Sequence, residues 1–180
     1  MKHRASRAFI RRLAIAVVVL FSPGQAALAQ EGFTLGPAVT EAYRQMTSSH
    51  RLTYIALRLN DAQSTMVMDS TSESDITATP AAFDLFVRTF PTRDCRSYVV
   101  DFQFTDRNGD PESKVVLISW LPDGADMRSK LVLGLRNEDL RRQLPGISAY
   151  VEATTADEAS YDTVLRQIDH PRRGTPTAPP

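Results

Sequence analysis

Asp94-Cys95-Arg96-Ser97-Tyr98-Val99-Val100-Asp101-Phe102-Gln103-Phe104, followed by Asp106-Arg107-Asn108-Gly109-Asp110, Lys114-Val115-Val116-Leu117-Ile118-Ser119-Trp120 and Leu121-Pro122-Asp123-Gly124, decides the fold. Tyr98, Val100, Phe102 and Phe104 alternate with Val99, Asp101 and Gln103, the period of a strand. Asn108-Gly109 between two such segments is a hairpin signal, because both residue types tolerate the positive φ that tight turns demand. From Lys114 to Trp120 the alternation is lost and the run is almost wholly apolar, which points to burial on both faces. A sheet interior of this kind has to be covered on each side.

Outward from there, the covering helices are legible. Pro80 opens a helix with Phe83, Phe86, Val87 and Phe90 on one face, stopped by Pro91. Gly36-Pro37 opens another, with Val39, Ala42, Tyr43 and Met46 at i, i+3, i+4 and i+7. A strand over Leu52 to Leu59 turns at Asn60-Asp61 and returns through Thr65-Met66-Val67-Met68, and Ser70 to Thr79 reads as a loop. After the Pro122-Asp123-Gly124 break, helix is expected from about Ala125 to Leu133, interrupted at Gly134 and resumed from Asn137 to Leu144. Pro145-Gly146 ends it, Ile147 to Ala153 suits a last strand, and Ala156 to Ile168 a closing helix. The expected fold class is α/β, one domain over residues 31–168 whose sheet lies between helices.

The 180 residues are 42% hydrophobic and 23% charged, which suits one domain with a real core. The single cysteine excludes an internal disulfide framework and a four-cysteine zinc site. Zero net charge excludes a bulk polycation that grips nucleic acid by counterion release. That balance conceals a split: residues 1–30 hold five of the 21 basic side chains and no acid, leaving 16 basic against 21 acidic side chains beyond them. Those first 30 residues run from a basic start through nine apolar residues, Leu13 to Phe21, to Ala27-Leu28-Ala29, the order of a secretory signal peptide. The competing reading is a start site placed too far upstream, or an uncleaved basic-apolar extension. Lack of an N-x-Ser/Thr sequon at Asn60, Asn108 and Asn137, and the unpaired Cys95, lean toward that second reading. Residues 169–180 hold four prolines and are expected to be a disordered tail.

Catalytic and metal-binding patterns find no support. His3, His50 and His170 are remote in sequence from any partner at triad or metal-ligand spacing. Asp106-x-Asn108-Gly109-Asp110 has the look of a calcium-loop fragment but lacks Gly at the sixth position and Glu at the twelfth, so the turn reading is preferred. Cys95 stands between Arg93 and Arg96, which would lower its pKa, yet at the mouth of an apolar strand a packed thiol is commoner. Two features remain. Arg128, Lys130, Arg141 and Arg142 make a basic helical stretch, which on charge alone reads as a solvated face. Met127, Leu131 and Leu135 recur at i, i+4 and i+8, for which core packing is the default expectation.

Residues 94–168 resemble the actin-depolymerising factor/cofilin family. Asp94-Cys95-Arg96 with Tyr98-Val99-Val100-Asp101-Phe102 is similar to the family's Asp-Cys-Arg-Tyr-x-x-Tyr-Asp-Phe strand, and Trp120-Leu121-Pro122-Asp123 to its Trp-x-Pro-Asp turn. Met127-Arg128-Ser129-Lys130-Leu131 resembles Val-Arg-Ser-Lys-Met, Leu140-Arg141-Arg142 with Leu144 and Gly146 the helix end, and Ser160-Tyr161-Asp162 the closing helix. Gly32 to Asn60 fits the first helix and strand more loosely.

The resemblance implies a single ADF-homology domain with a central mixed β-sheet sandwiched by helices. It implies a protein, most simply a monomer, that binds actin monomers and filaments in the cytoplasm and promotes filament depolymerisation or severing, without enzymatic activity or cofactor. Its implied actin-binding positions are Arg128, Lys130, Leu131, Arg141, Arg142, Lys114 and Gly32, with Lys130, Arg141 and Arg142 also meeting phosphoinositide head groups. The family's regulatory serine is replaced by Glu31, whose fixed negative charge resembles the phosphorylated off state. Glu112 stands where a basic residue is often found, and Arg166, Gln167 and His170 replace the family's filament contacts, so monomer binding is the firmer expectation. The alternative is an exported protein that reuses the scaffold as a binding module or an unrecognised enzyme.

Overall fold

A computed structural model describes residues 33–77 and 79–169. The expected leader, Gly32 and the tail beyond Asp169 lie outside them. Six strands form one mixed sheet in the order β1-β3-β2-β4-β5-β6, comprising β1 (Thr34–Leu35), β2 (Tyr54–Leu59), β3 (Thr65–Ser72), β4 (Arg96–Thr105), β5 (Pro111–Trp120) and β6 (Ile147–Ala153). The β1–β3 and β5–β6 pairs are parallel, and the rest are antiparallel. Helices α1 (Pro37–Ser49) and α3 (Met127–Gln143) cover one face, and α2 (Pro80–Val87) and α4 (Tyr161–Asp169) the other.

Strand period sorts the core into these two layers. Tyr98, Val100 and Phe102 of β4, with Val116, Ile118 and Trp120 of β5, pack against Phe83 and Phe86 of α2 and Val164 of α4. Their neighbours Val99 and Leu117 point the other way, against Val39 and Met46 of α1 and Leu133 and Leu140 of α3. Burial on both faces of β5, expected from its unbroken apolar run, is what the structure has. The Asn108-Gly109 hairpin also forms, with Gly109 at φ 91° and the Asp106 carboxylate accepting from the amides of Asn108 and Asp110. Those amides hold the Asp106 carboxyl below its usual range.

Several boundaries differ from expectation. β3 continues to Ser72, through residues expected to be loop, because it is the polar strand next to the short β1 and Asp69 pairs with Arg58 of adjacent β2 and with Arg96 at the start of β4. α2 ends at Val87, and a tighter turn with Phe90 N–H donating to the Val87 carbonyl still carries Phe90 into the core. The closing helix is split: a 3-10 turn over Asp157–Ala159 and extended Ser160 precede α4, whose first amide, that of Tyr161, donates to Asp84 of α2 at 2.8 Å. Asp169, expected to open the tail, ends α4 and pairs with Arg107 at 3.3 Å. Gly134 does not interrupt α3, which runs unbroken over 17 residues. A mid-helix glycine costs roughly 1 kcal/mol relative to alanine, and the buried contacts of Leu133, Asn137 and Leu140 outweigh it.

Two polar clusters are buried on the α1/α3 side, one around Asp101 and one around Asn137. Asp101 of β4 is 1% exposed and receives His50 Nδ1 at 2.7 Å and the Ser113 hydroxyl. His50, which sequence separation left without a partner, caps α1 at φ 51° and ties that helix to the sheet. Asn137 of α3, also 1% exposed, accepts from Ser97 of β4 and donates to Ser119 of β5, each at 2.6 Å. Asn137→Ala, which leaves both serines without this partner, should lower stability in urea unfolding by about 1–3 kcal/mol. Arg142→Ala, at an exposed ion pair, should stay within roughly 0.5 kcal/mol of the parent.

Candidate functional site

The candidate site is built around α3, and the topology dictates where that helix lies. Parallel strands β5 and β6 are neighbours, so the chain leaving Trp120 must cross a face of the sheet before returning. The crossing begins at Pro122-Asp123-Gly124, where a Cβ on Gly124 would collide with the Thr92 carbonyl oxygen, so the loop packs tightly on the segment before β4. Asp126 then caps α3, accepting from the Ser129 amide at 2.9 Å. Hydrogen bonds from Ser129 hold the Asp126 carboxyl below its usual range. The cap therefore acts fully above the ordinary aspartate range and is lost as pH falls through the lowered folded value.

With Leu133, Asn137 and Leu140 against the sheet, helical rotation of about 100° per residue turns Leu131 and Leu135 almost directly outward. Met127, Leu131 and Leu135 are 69%, 63% and 73% exposed. The expectation that this stripe is core is wrong. The helix carries two apolar stripes, and the one interrupted by polar Asn137 is the buried one.

The cations divide along the same lines. Arg128 is exposed beside Leu131 and makes no ion pair with a described residue. Lys130, two positions on, turns toward the sheet side and stands 3.7 Å from Asp123 with its side chain only 19% exposed. Arg141 pairs with Glu138 at 3.1 Å and lies over the Tyr150 ring at 5.3 Å, while Arg142 pairs with Asp139 at 2.5 Å. Both basic positions at the end of α3 are thus matched by acids three residues earlier.

Phe33, the first described residue, joins this surface. Arg136 stacks over its ring at 5.5 Å, and Gln143 donates to its carbonyl at 3.3 Å. The residue after Gly32 is therefore held against α3. Lys114 belongs elsewhere: on β5 it faces the α4 side, pairs with Glu112 at 3.2 Å and lines a groove of about 510 Å³ with Phe104, Leu165 and Ile168. The candidate residues accordingly form two surfaces on opposite sides of the sheet.

Sequence reasoning missed Asn137 as the residue that orients α3, and Phe33 and Arg136 as a contact. A polar residue between Leu133 and Leu140 at helical spacing, facing strands that each carry a serine, was the available signal. Cys95 also departs from the charge argument: burial, followed by the nearby Asp126, pushes its thiol up, against Lys130 and Arg96.

A rigid sheet carrying an outward helix with an apolar ridge and one unpaired arginine is the build of a protein-binding scaffold. The family model described as cofilin/tropomyosin-type actin-binding protein matches residues 32–169, and the chain belongs to that family. It is 33% identical to a cofilin of Ogataea parapolymorpha over 142 residues, spanning 78% of this chain and 95% of the relative. It is 32% identical to the Schizosaccharomyces pombe cofilin, spanning 76% and 95%. Among solved structures, Streptomyces griseoflavus cofilin superposes with a TM-score of 0.65 at 28% identity, covering 76% of this chain and 97% of that one.

The raised thiol pKa has a direct consequence. Cys95 should alkylate with iodoacetamide more slowly than an unhindered cysteine at neutral pH, its rate climbing only above the usual thiol value of about 8.5. Mass spectrometry of a pH series checks this, and rapid labelling at neutral pH would contradict it.

Proposed function

We propose that the protein binds actin monomers and filaments and promotes filament disassembly, and that it does so by binding alone, without bond chemistry. The observation that carries this reading is the α3 surface: Arg128 and Leu131 face outward on a helix held rigidly by its buried side, within a chain of the actin-binding family. Differential binding suffices for disassembly, since a ligand that prefers one subunit arrangement shifts the equilibrium toward it. Arg128 supplies an unpaired guanidinium for an acidic partner and Leu131 an apolar anchor. Gly32, next to Phe33, would extend this monomer-binding surface, and Lys130 would flank it.

Arg141 and Arg142 reach actin, or with Lys130 a phosphoinositide head group, by exchanging Glu138, Asp139 and Asp123 for the new anion. Lys114, on the other side of the sheet, suits a second contact made only in filaments. We take residues 31–168 as the binding unit, a monomer acting in the cytoplasm. An exported protein on the same scaffold is the second reading, favoured by the signal-peptide pattern of residues 1–30.

Arg128→Ala should weaken binding to monomeric actin about tenfold or more, as for an interface arginine. Lys130→Ala, whose amine is already partnered, should cost less. Fluorescence quenching with labelled monomer, together with actin left in the supernatant after sedimentation of filaments, reads both. A double variant that binds and depolymerises like the parent would overturn the assignment.

A further inference from the structure

Leu135 has no role in the surface just described, yet it is the most exposed large apolar side chain among the described residues, at 73%. It lies one turn beyond Leu131 and two beyond Met127, and the three form a ridge about 12 Å long at 1.5 Å per residue. On this stretch of the outward face Arg128 is the neighbour in charge, and no acid appears until Glu138. The ridge is also stiff, because Leu133 and Asn137, two residues to either side of Leu135 in the helix, are fixed in the core at 1% exposure each. An apolar side chain pre-positioned on a rigid helix loses little entropy when it is covered.

We propose that Leu135 is a further actin contact of α3, extending the apolar anchor of the monomer-binding surface one turn toward the helix C-terminus. This rests on the reading of α3 as the actin-binding helix. The argument for actin as the occupant is continuity: Leu135 shares one uninterrupted face with Arg128 and Leu131, so a partner seated on those two reaches it with the same surface. By contrast Leu85, 67% exposed on α2, lies on the opposite side of the sheet and has no such neighbours. The contact is apolar, so its contribution is insensitive to salt, unlike that of Arg128.

The test uses the full chain and compares Leu135→Gln, Leu131→Gln and Leu85→Gln, all polar substitutions at exposed helical sites. Fluorescence quenching with labelled monomeric actin should show about a tenfold loss of affinity for Leu135→Gln, the range of an interface anchor. Leu131→Gln should lose at least as much and Leu85→Gln nothing. Between roughly 0.05 M and 0.3 M salt the ratio of parent to Leu135→Gln affinity should hold steady, while the Arg128→Ala ratio shrinks. Loss at Leu131 with parental affinity at Leu135 would overturn this inference and leave the proposed function standing. No loss at either would overturn both. If Leu135→Gln instead changes only the sedimentation of the free protein, the ridge is covered by a second copy of this chain, and the inference fails.

Discussion

The carboxamide of Asn137, shared between the hydroxyls of Ser97 and Ser119, determines which way α3 faces. The two serine hydroxyls on adjacent strands and the carboxamide on the helix bond to one another beside the Tyr150 hydroxyl, and burial makes a missed bond costly. Rotating α3 by a residue would break both Asn137 bonds. Leu133 and Leu140 add apolar burial in the same orientation, but apolar contacts alone would accept either of the two stripes this helix carries. The hydrogen bonds are directional where the hydrophobic effect is not, so they settle the choice and leave Met127, Leu131 and Leu135 in solvent.

The sheet and its two layers were legible because strand period and helix period speak directly about burial. Val115 to Trp120 had no polar residue but Ser119, and two covered faces followed from that. The β4 strand read correctly as alternating, although all residues from Ser97 to Phe102 are buried, since its odd positions meet α1 and α3 rather than water. The orientation of α3 was not legible in the same way. Met127, Leu131 and Leu135 have the spacing of a core stripe, and only the serines across the sheet reveal that Asn137 holds a core position. His50 and Asp101 were likewise invisible as a pair, being 51 residues apart in the chain. Of the site residues, the basic stretch of α3 was read from the sequence, while its division into exposed and ion-paired members depends on rotation and on acids three residues away.

That division matters for how the surface meets a partner. Five cations on one helix suggest a strongly electrostatic patch, but four have an acidic neighbour within 3.7 Å. Arg128 stands apart, flanked by apolar side chains. A contact of this kind draws its strength from a central desolvated anchor, with charge contributing orientation and encounter rate. The arginines at the far end of α3 are ion-paired with Glu138 and Asp139, and in the proposed function a partner's anion would have to displace those acids.

In the proposed function α3, oriented by Asn137, presents its outward face to actin. Hydrogen–deuterium exchange of the full chain with and without monomeric actin tests it directly, peptide by peptide. Added protection should appear over residues 127–135 and around Phe33, with the β3 edge and α2 unchanged. Protection confined to α2 or β3, with α3 exchanging as in the free protein, would contradict the account.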